Sequence, residues 1–96
     1  MNGVRGEVSV VLAGETRRLC LTLGALAEIE SELGIEGIGV LAERMRRLSA
    51  RDLKTVLAAL LRGGGEPALA GELDQAAVDV REAAEAVGKA FAAAAG

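Results

Sequence analysis

Hydrophobic residues near the start of the chain recur at every second position, which is the period of a β-strand. A first alternating run covers residues 5–13, and its apolar side consists of Val8, Val10 and Leu12. A second run continues this pattern with Leu19, Leu21 and Leu23. Gly14 and Glu15 lie between the runs and suit a type II′ turn, which takes glycine at its first central position. The pattern therefore predicts an antiparallel hairpin over residues 5–23.

The predicted turn also fixes how the two strands pair. It pairs Ala13 with Thr16 at the end of the hairpin. That register sets Val10 opposite Leu19, so the apolar faces of both strands coincide. Because an isolated hairpin is only marginally stable in water, we expect the helices that follow to cover this apolar face.

The hydrophobic period changes from two residues to 3.6 after the second run, which indicates helices. The first helix is predicted over residues 24–33, where apolar side chains recur at i, i+3 and i+7. Thr22 precedes it as an N-cap, because its hydroxyl can accept a hydrogen bond from an amide of the first turn. Gly34 ends it, because glycine readily adopts the left-handed conformation of a helix C′ residue.

Apolar stripes of the same period predict three further helices. They cover residues 38–47, 50–62 and 74–95. Ser49 and Asp52 have the spacing of a capping box at the start of the 50–62 helix, which has the strongest stripe. Glycines at 63–65 end that helix, since glycine costs about 1 kcal/mol per residue in a helix interior.

The last predicted helix is rich in alanine and has a thin apolar stripe. The stripe consists of Val80, Ala84, Val87 and Phe91. Asp74 precedes the helix as its predicted N-cap. Phe91 is the only aromatic residue of the chain, so the core must be built from aliphatic side chains.

The order of these elements indicates an α+β fold. It consists of an N-terminal antiparallel β-hairpin packed against three to four α-helices. A length of 96 residues suits one domain, and we expect residues 1–96 to form it.

The chain lacks the residue types on which most catalytic sites depend. It has no histidine and a single cysteine, Cys20. The commonest general base, the commonest metal ligand and a cysteine–histidine pair are therefore missing. The glycines at 63–65 are not followed by the lysine of a phosphate-binding loop. We predict a non-enzymatic protein without catalytic, cofactor-binding or metal-binding residues, in which Cys20 is a small packed side chain.

The net charge and the hydropathy of the chain limit the classes of partner and the cellular location that we expect. Eleven basic and fourteen acidic side chains give a formal net charge of -3, which repels a phosphate backbone and makes nucleic acid an unfavourable partner. The sequence has no apolar run of the length that crosses a membrane, and a lone cysteine suits a reducing compartment. We expect a cytoplasmic protein that does not bind a membrane.

Two groups of residues are candidates for binding a partner protein. The first group consists of Arg44, Arg46, Arg47 and Arg51. These arginines suit an acidic protein surface, although Glu43 stands four residues before Arg47, in the favourable order for an ion pair on a solvated helix face. The second group, Val87 and Phe91, anchors either the last helix to the core or a partner to this chain.

Three stretches give the chain a resemblance to a known family. They are RGEVSVVLAGETRRLCLTLGALAEIESELG at residues 5–34, LSARDLKTVLAALLRGGG at residues 48–65, and an alanine-rich helix that ends near Phe91. The chain resembles the gene transfer agent family of small tail proteins, which is grouped with the phage tail assembly chaperones. The resemblance covers most of the chain.

The resemblance implies a cytoplasmic assembly factor from a prophage-like gene cluster. Tail assembly chaperones bind the tape-measure protein, the tail-tube protein or both, and keep the tape-measure protein soluble while the tube polymerises around it. Two alternatives stay open. One is a stoichiometric structural component of the tail tube, and the other is a small nucleic-acid-binding regulator that uses the arginine group. A homo-oligomer is compatible with each of these roles.

Overall fold

Two strands and five α-helices follow one another in the computed structural model, which describes residues 6–95. The strands are β1 (Glu7–Leu12) and β2 (Glu15–Cys20). The helices are α1 (Leu23–Leu33), α2 (Ile38–Arg44), α3 (Ala50–Gly63), α4 (Pro67–Ala70) and α5 (Val80–Ala95). This is the predicted α+β fold. The predicted start of the hairpin at Arg5 lies outside the described residues, as do the predicted domain's other terminal residues, 1–4 and 96.

The register of the hairpin differs from the predicted one by two residues. The pairs include Val8 with Leu19, Val10 with Arg17 and Leu12 with Glu15. Ala13 and Gly14 are the central turn residues, and both have positive φ, 54° and 82°, as a type I′ turn requires. A shift of two residues keeps every side chain on its predicted face. Strand β2 ends at Cys20, and Thr22 caps α1.

Helix α3 lies at the centre of the core, where it contacts α1, α4, α5 and β2. Its buried side chains follow the predicted stripe and include Val56, Leu57, Leu60 and Leu61. Apart from β2, strand β1 packs mainly against α5. Helices α3 and α5 therefore cover the hairpin together. Cys20 at the end of β2 is a free thiol with 1% of its surface exposed.

The end of α3 packs directly against the backbone of β2, which gives the glycines at 63–65 a second role besides ending the helix. A Cβ atom on Gly63 would collide with the carbonyl oxygen of Cys20, and one on Gly64 with that of Arg18. The carboxylate of Glu66 then accepts a 3.1 Å hydrogen bond from the backbone N–H of Arg18. The outer edge of β2 is therefore occupied by the chain itself.

Three predicted helix ends are confirmed by their geometry. Thr22 Oγ1 accepts a 3.0 Å hydrogen bond from the N–H of Ala25. Ser49 Oγ accepts a 3.0 Å hydrogen bond from the N–H of Asp52. Gly34 follows α1 with a φ of 68°, in the left-handed region. Local sequence therefore determines where α1 begins and ends and where α3 begins.

Helix α5 begins later than predicted. It starts at Val80, and Asp79 caps it, because Asp79 Oδ1 accepts a 2.7 Å hydrogen bond from the N–H of Glu82. Asp74, the predicted cap, instead pairs with Lys54 Nζ at 2.6 Å. Both aspartates precede an apolar run, but only Asp79 has an acidic residue three positions later, as in a capping box.

The predicted helix over residues 38–47 is shorter in the structure. Helix α2 ends at Arg44, and Met45–Arg47 forms a 3-10 turn. Leu48 after it has an extended backbone, with ψ of 129°. The chain must unwind here before Ser49 can cap α3, and a tightened last turn is a common way to end a helix.

The buried face of α5 also differs from the predicted stripe. Val80 is 66% exposed, and Ala84 is exposed as well. The buried residues are Ala83, Ala86, Val87 and Ala90. The prediction followed the large side chains, whereas the face that packs against α3 and β1 is mostly alanine, whose small size allows close approach.

Substituting either glycine at the junction of α3 and β2 tests the close packing. Gly63→Ala and Gly64→Ala should each lower the free energy of unfolding by about 2 kcal/mol or more, because the added methyl group meets rigid backbone. Gly88→Ala is the matched control. Gly88 lies in α5 with open space at its Cβ position, so alanine there should raise stability by about 0.5–1 kcal/mol. Urea denaturation of the three variants measures both effects, and equal stability of Gly64→Ala and the wild type would contradict the close approach.

Candidate partner-binding surface

The segment that joins α1 to α3 carries exposed apolar and basic side chains together. We call residues 38–52 the basic corner; it comprises α2, the 3-10 turn and the start of α3. Within α2 only Leu41 is buried, while Ile38 and Val40 expose 55% and 50% of their surface. Helix α2 makes its most extensive contact with the 3-10 turn. The corner is therefore less embedded in the core than α3 or α5.

A bidentate ion pair fastens the end of α2 to the start of α3. Arg44 Nε lies 2.9 Å from Asp52 Oδ2, and Arg44 Nη2 lies 3.3 Å from Asp52 Oδ1. Asp52 is buried in the first turn of α3, where its own N–H is bound by the Ser49 hydroxyl. The hydrogen bond from Arg44 is the largest influence on the carboxyl and holds its pKa below the ordinary value of 3.8, against the opposing effect of burial.

A second attachment holds the start of α2. Glu30 Oε2 accepts a 2.7 Å hydrogen bond from the N–H of Gly37, the residue before α2. Leu41 supplies the apolar contact between these two attachments. Helix α2 is thus fixed at both ends by polar contacts and in the middle by one buried leucine.

The four arginines of the predicted binding group have different surroundings. Arg44 forms an ion pair within the chain, with Asp52. Arg46 Nη1 lies 3.9 Å from Glu43 Oε2, so Glu43 pairs with Arg46 and not, as predicted, with Arg47, because the 3-10 turn changes the helical spacing. Arg47 and Arg51 are exposed and form no ion pair within residues 6–95. The basic charge that a partner can reach is therefore carried by the last three arginines.

The second predicted group lies away from this corner, on α5. Val87 has no exposed surface, and Phe91 is half-buried against the core. A partner could touch the outer part of the Phe91 ring, but contact with Val87 would require α5 to move. Helix α5 makes no extensive contact with α2 or the 3-10 turn, which carry three of the four arginines, so the two predicted groups do not form one cluster.

The exposure of Ile38 and Val40 was not part of the sequence prediction, although one signal for it exists. Val40 falls outside the apolar stripe of the predicted 38–47 helix, whose members are Ile38, Leu41, Met45 and Leu48. A valine off the stripe faces solvent if the stripe faces the core. No comparable signal indicated Ile38, which is on the stripe and is the first residue of α2.

The described part of the chain has no arrangement that suggests a metal site or a membrane span. Residues 6–95 contain no group of three or more acidic or cysteine side chains placed to hold a metal ion. None of their helices has both the length and the apolar character needed to cross a bilayer. The exposed apolar and basic side chains of the basic corner are the features that suit a protein partner.

Comparison with known families places the chain in the class of phage tail proteins. The chain belongs to the family described as phage tail tube protein, GTA-gp10, whose model matches residues 5–96. This confirms the resemblance to the gene transfer agent tail proteins. Comparison with curated proteins and with solved structures found no match.

The pH dependence of stability tests the Arg44–Asp52 pair. A carboxyl with a lowered pKa in the folded state stabilises the fold above its ordinary pKa, and this contribution disappears as the pH falls through the lowered value. Asp52→Asn should therefore lower the free energy of unfolding by about 1–2 kcal/mol at pH 7. The difference from the wild type should shrink near pH 3. Denaturation with urea at both pH values measures this change.

Asp74→Asn is the matched control for that experiment. Asp74 also pairs with a cation, Lys54, but its side chain is 73% exposed. Exposed ion pairs contribute little to stability, so this variant should stay within about 0.5 kcal/mol of the wild type at pH 7. A loss as large as that of Asp52→Asn would show that the buried position of Asp52 has no special effect.

Proposed function

We propose that this chain is a non-enzymatic tail assembly chaperone that acts in the cytoplasm. It binds the tape-measure protein, the tail-tube protein or both during tail morphogenesis. The observation that carries the proposal is the exposure of Ile38 and Val40 on a helix whose neighbouring arginines face solvent. A surface of this kind suits transient burial of an apolar partner segment.

The chemistry of the basic corner favours an amphipathic partner helix with acidic residues along its edge. Ile38 and Val40 offer aliphatic contact to the apolar side of such a helix. Arg47 and Arg51 offer guanidinium groups, which pair with carboxylates in a bidentate geometry. Charged groups at the rim of an interface mainly raise the association rate and the selectivity, whereas apolar burial supplies more of the affinity. Reversible binding, which a chaperone needs, follows from a small apolar area with a charged rim.

A second candidate function is that of a stoichiometric component of the tail tube. The description of the family, phage tail tube protein, favours it. Permanent subunit interfaces, however, are usually large and apolar. The large apolar side chains that are exposed in residues 6–95 are distributed over several elements, and they are Val11, Leu23, Ile38, Val40 and Val80. This scattered distribution supports a transient binder more than a permanent subunit.

Quantitative mass spectrometry of purified particles and of the producing cell lysate separates these two functions. If the chain is a chaperone, it should be abundant in the lysate and nearly absent from particles, because it leaves before the tail is complete. The tail-tube protein, measured in the same samples, provides the internal standard. A fixed ratio of this chain to the tail-tube protein in particles would instead identify a structural component.

Charge reversal in the basic corner tests the proposed binding surface. In co-expression with the tape-measure protein, the double variant Arg47→Glu/Arg51→Glu should weaken the interaction about tenfold or more, which corresponds to about 1.4 kcal/mol. Arg47→Lys/Arg51→Lys is the matched control, because it keeps the positive charge at the same two exposed positions and should bind like the wild type. Quantitative co-purification at two salt concentrations gives the readout. Equal binding of wild type and double variant would remove the basic corner from the mechanism.

A further inference from the structure

The outer edge of β1 differs from the outer edge of β2. In an antiparallel pair, backbone groups point alternately toward the partner strand and away from it. The N–H of Arg18 points away from β1, because Glu66 binds it. Arg18 pairs with Ser9, so the N–H and C=O groups of Ser9 point away from β2, and those of Val11, two residues along, do so too.

Within residues 6–95 these outward groups of β1 have no backbone partner. No backbone hydrogen bond joins Ser9 or Val11 to another element between residues 6 and 95. Both residues are exposed, Val11 by 59%. Strand β1 also lacks the lysine or proline that often protects an edge strand from pairing with another chain. The edge therefore offers unpaired donors and acceptors to an extended segment.

Helix α5 adds a wall beside this edge. A groove of about 430 Å³ runs between β1 and α5, with Val10, Val11 and Ala86 as its apolar lining. Three carboxylates recur at every third position on the helix wall, and they belong to Asp79, Glu82 and Glu85. Arg81 and Lys89 also line it, which leaves a net charge of -1, and none of the five side chains forms an ion pair within the described chain.

We propose that an extended segment of another protein binds in this groove as a third strand beside β1, with a basic side chain directed at Glu82 and Glu85. Main-chain hydrogen bonds to Ser9 and Val11 supply affinity, and alternate side chains of the segment reach the groove. This surface is separate from the basic corner, so the inference does not depend on the proposed function.

A second copy of this chain fits the groove less well than a foreign segment. Paired strands stand about 4.8 Å apart, whereas packed helices need about 8–10 Å between their axes. If β1 of a second copy paired antiparallel with β1 across a two-fold axis, its α5 would lie on the same side of the sheet. The two α5 helices would then compete for the same space.

Peptide binding to backbone and charge variants tests the proposal. Peptides of about ten residues that tile the other tail proteins of the particle are measured against the full chain by fluorescence anisotropy, up to about 1 mM. We expect at least one basic peptide to bind. Ser9→Pro should weaken it about fivefold or more, because proline removes the outward N–H without removing a bond of the hairpin. Ser9→Ala, which keeps that N–H, should bind like the wild type.

A second pair of variants keeps the test valid if Ser9→Pro does not fold. Glu85→Lys lies on the exposed helix wall and should weaken the same peptide about threefold or more. Glu72→Lys makes the same change of charge at an exposed position outside the groove and should have no effect. Circular dichroism verifies the folding of each variant.

Three outcomes would overturn the proposal. The first is the absence of binding by every peptide. The second is binding that Glu85→Lys and Glu72→Lys change equally, or that a folded Ser9→Pro leaves unchanged. The third is a wild-type dimer in analytical ultracentrifugation that a folded Ser9→Pro converts to a monomer, because a second copy would then occupy the edge.

Discussion

The rest of the structure depends on the close approach of the end of α3 to the backbone of β2. A two-stranded hairpin is only marginally stable by itself. Here helices pack on it, and the end of α3 also contacts the outer edge of β2. Gly63 and Gly64 allow backbone to meet backbone, and Glu66 then binds the N–H of Arg18. The central helix of the core and the sheet are thereby joined into one unit, and the remaining helices pack around it.

The sequence was sufficient where structure is determined by neighbouring residues. The caps at Thr22 and Ser49 and the stop at Gly34 depend on contacts within about four positions, and all three are present. The hairpin register was missed because a type I′ turn requires Ala13 to accept a positive φ, which no propensity rule favours. The start of α5 was missed because both Asp74 and Asp79 precede an apolar run, and the local signal that separates them is the acidic residue three positions after Asp79, Glu82. Contacts between distant residues leave no trace in the hydrophobic period.

The candidate surfaces were foreseen only in part for the same reason. The sequence shows that four arginines lie close together, but it does not show which of them are exposed. Arg44 forms an ion pair with Asp52, and the other three arginines stay exposed. Local rules assign Asp52 only to the helix cap. The groove between β1 and α5 is formed by elements about seventy residues apart along the chain. Composition and hydrophobic period predict single helices and strands, whereas a groove depends on how two of these elements pack together.

The burial of Cys20 gives this chain an internal reporter of its own opening. Burial, and to a smaller extent the charge of Glu7, raises the pKa of the thiol, so little of the reactive thiolate exists at neutral pH. Cys20 is the last residue of β2, and its backbone carbonyl faces Gly63 at the end of α3. A thiol reagent can therefore react at an appreciable rate only when the packing around Cys20 opens, and the rate of labelling reports how often this end of the hairpin loses its cover.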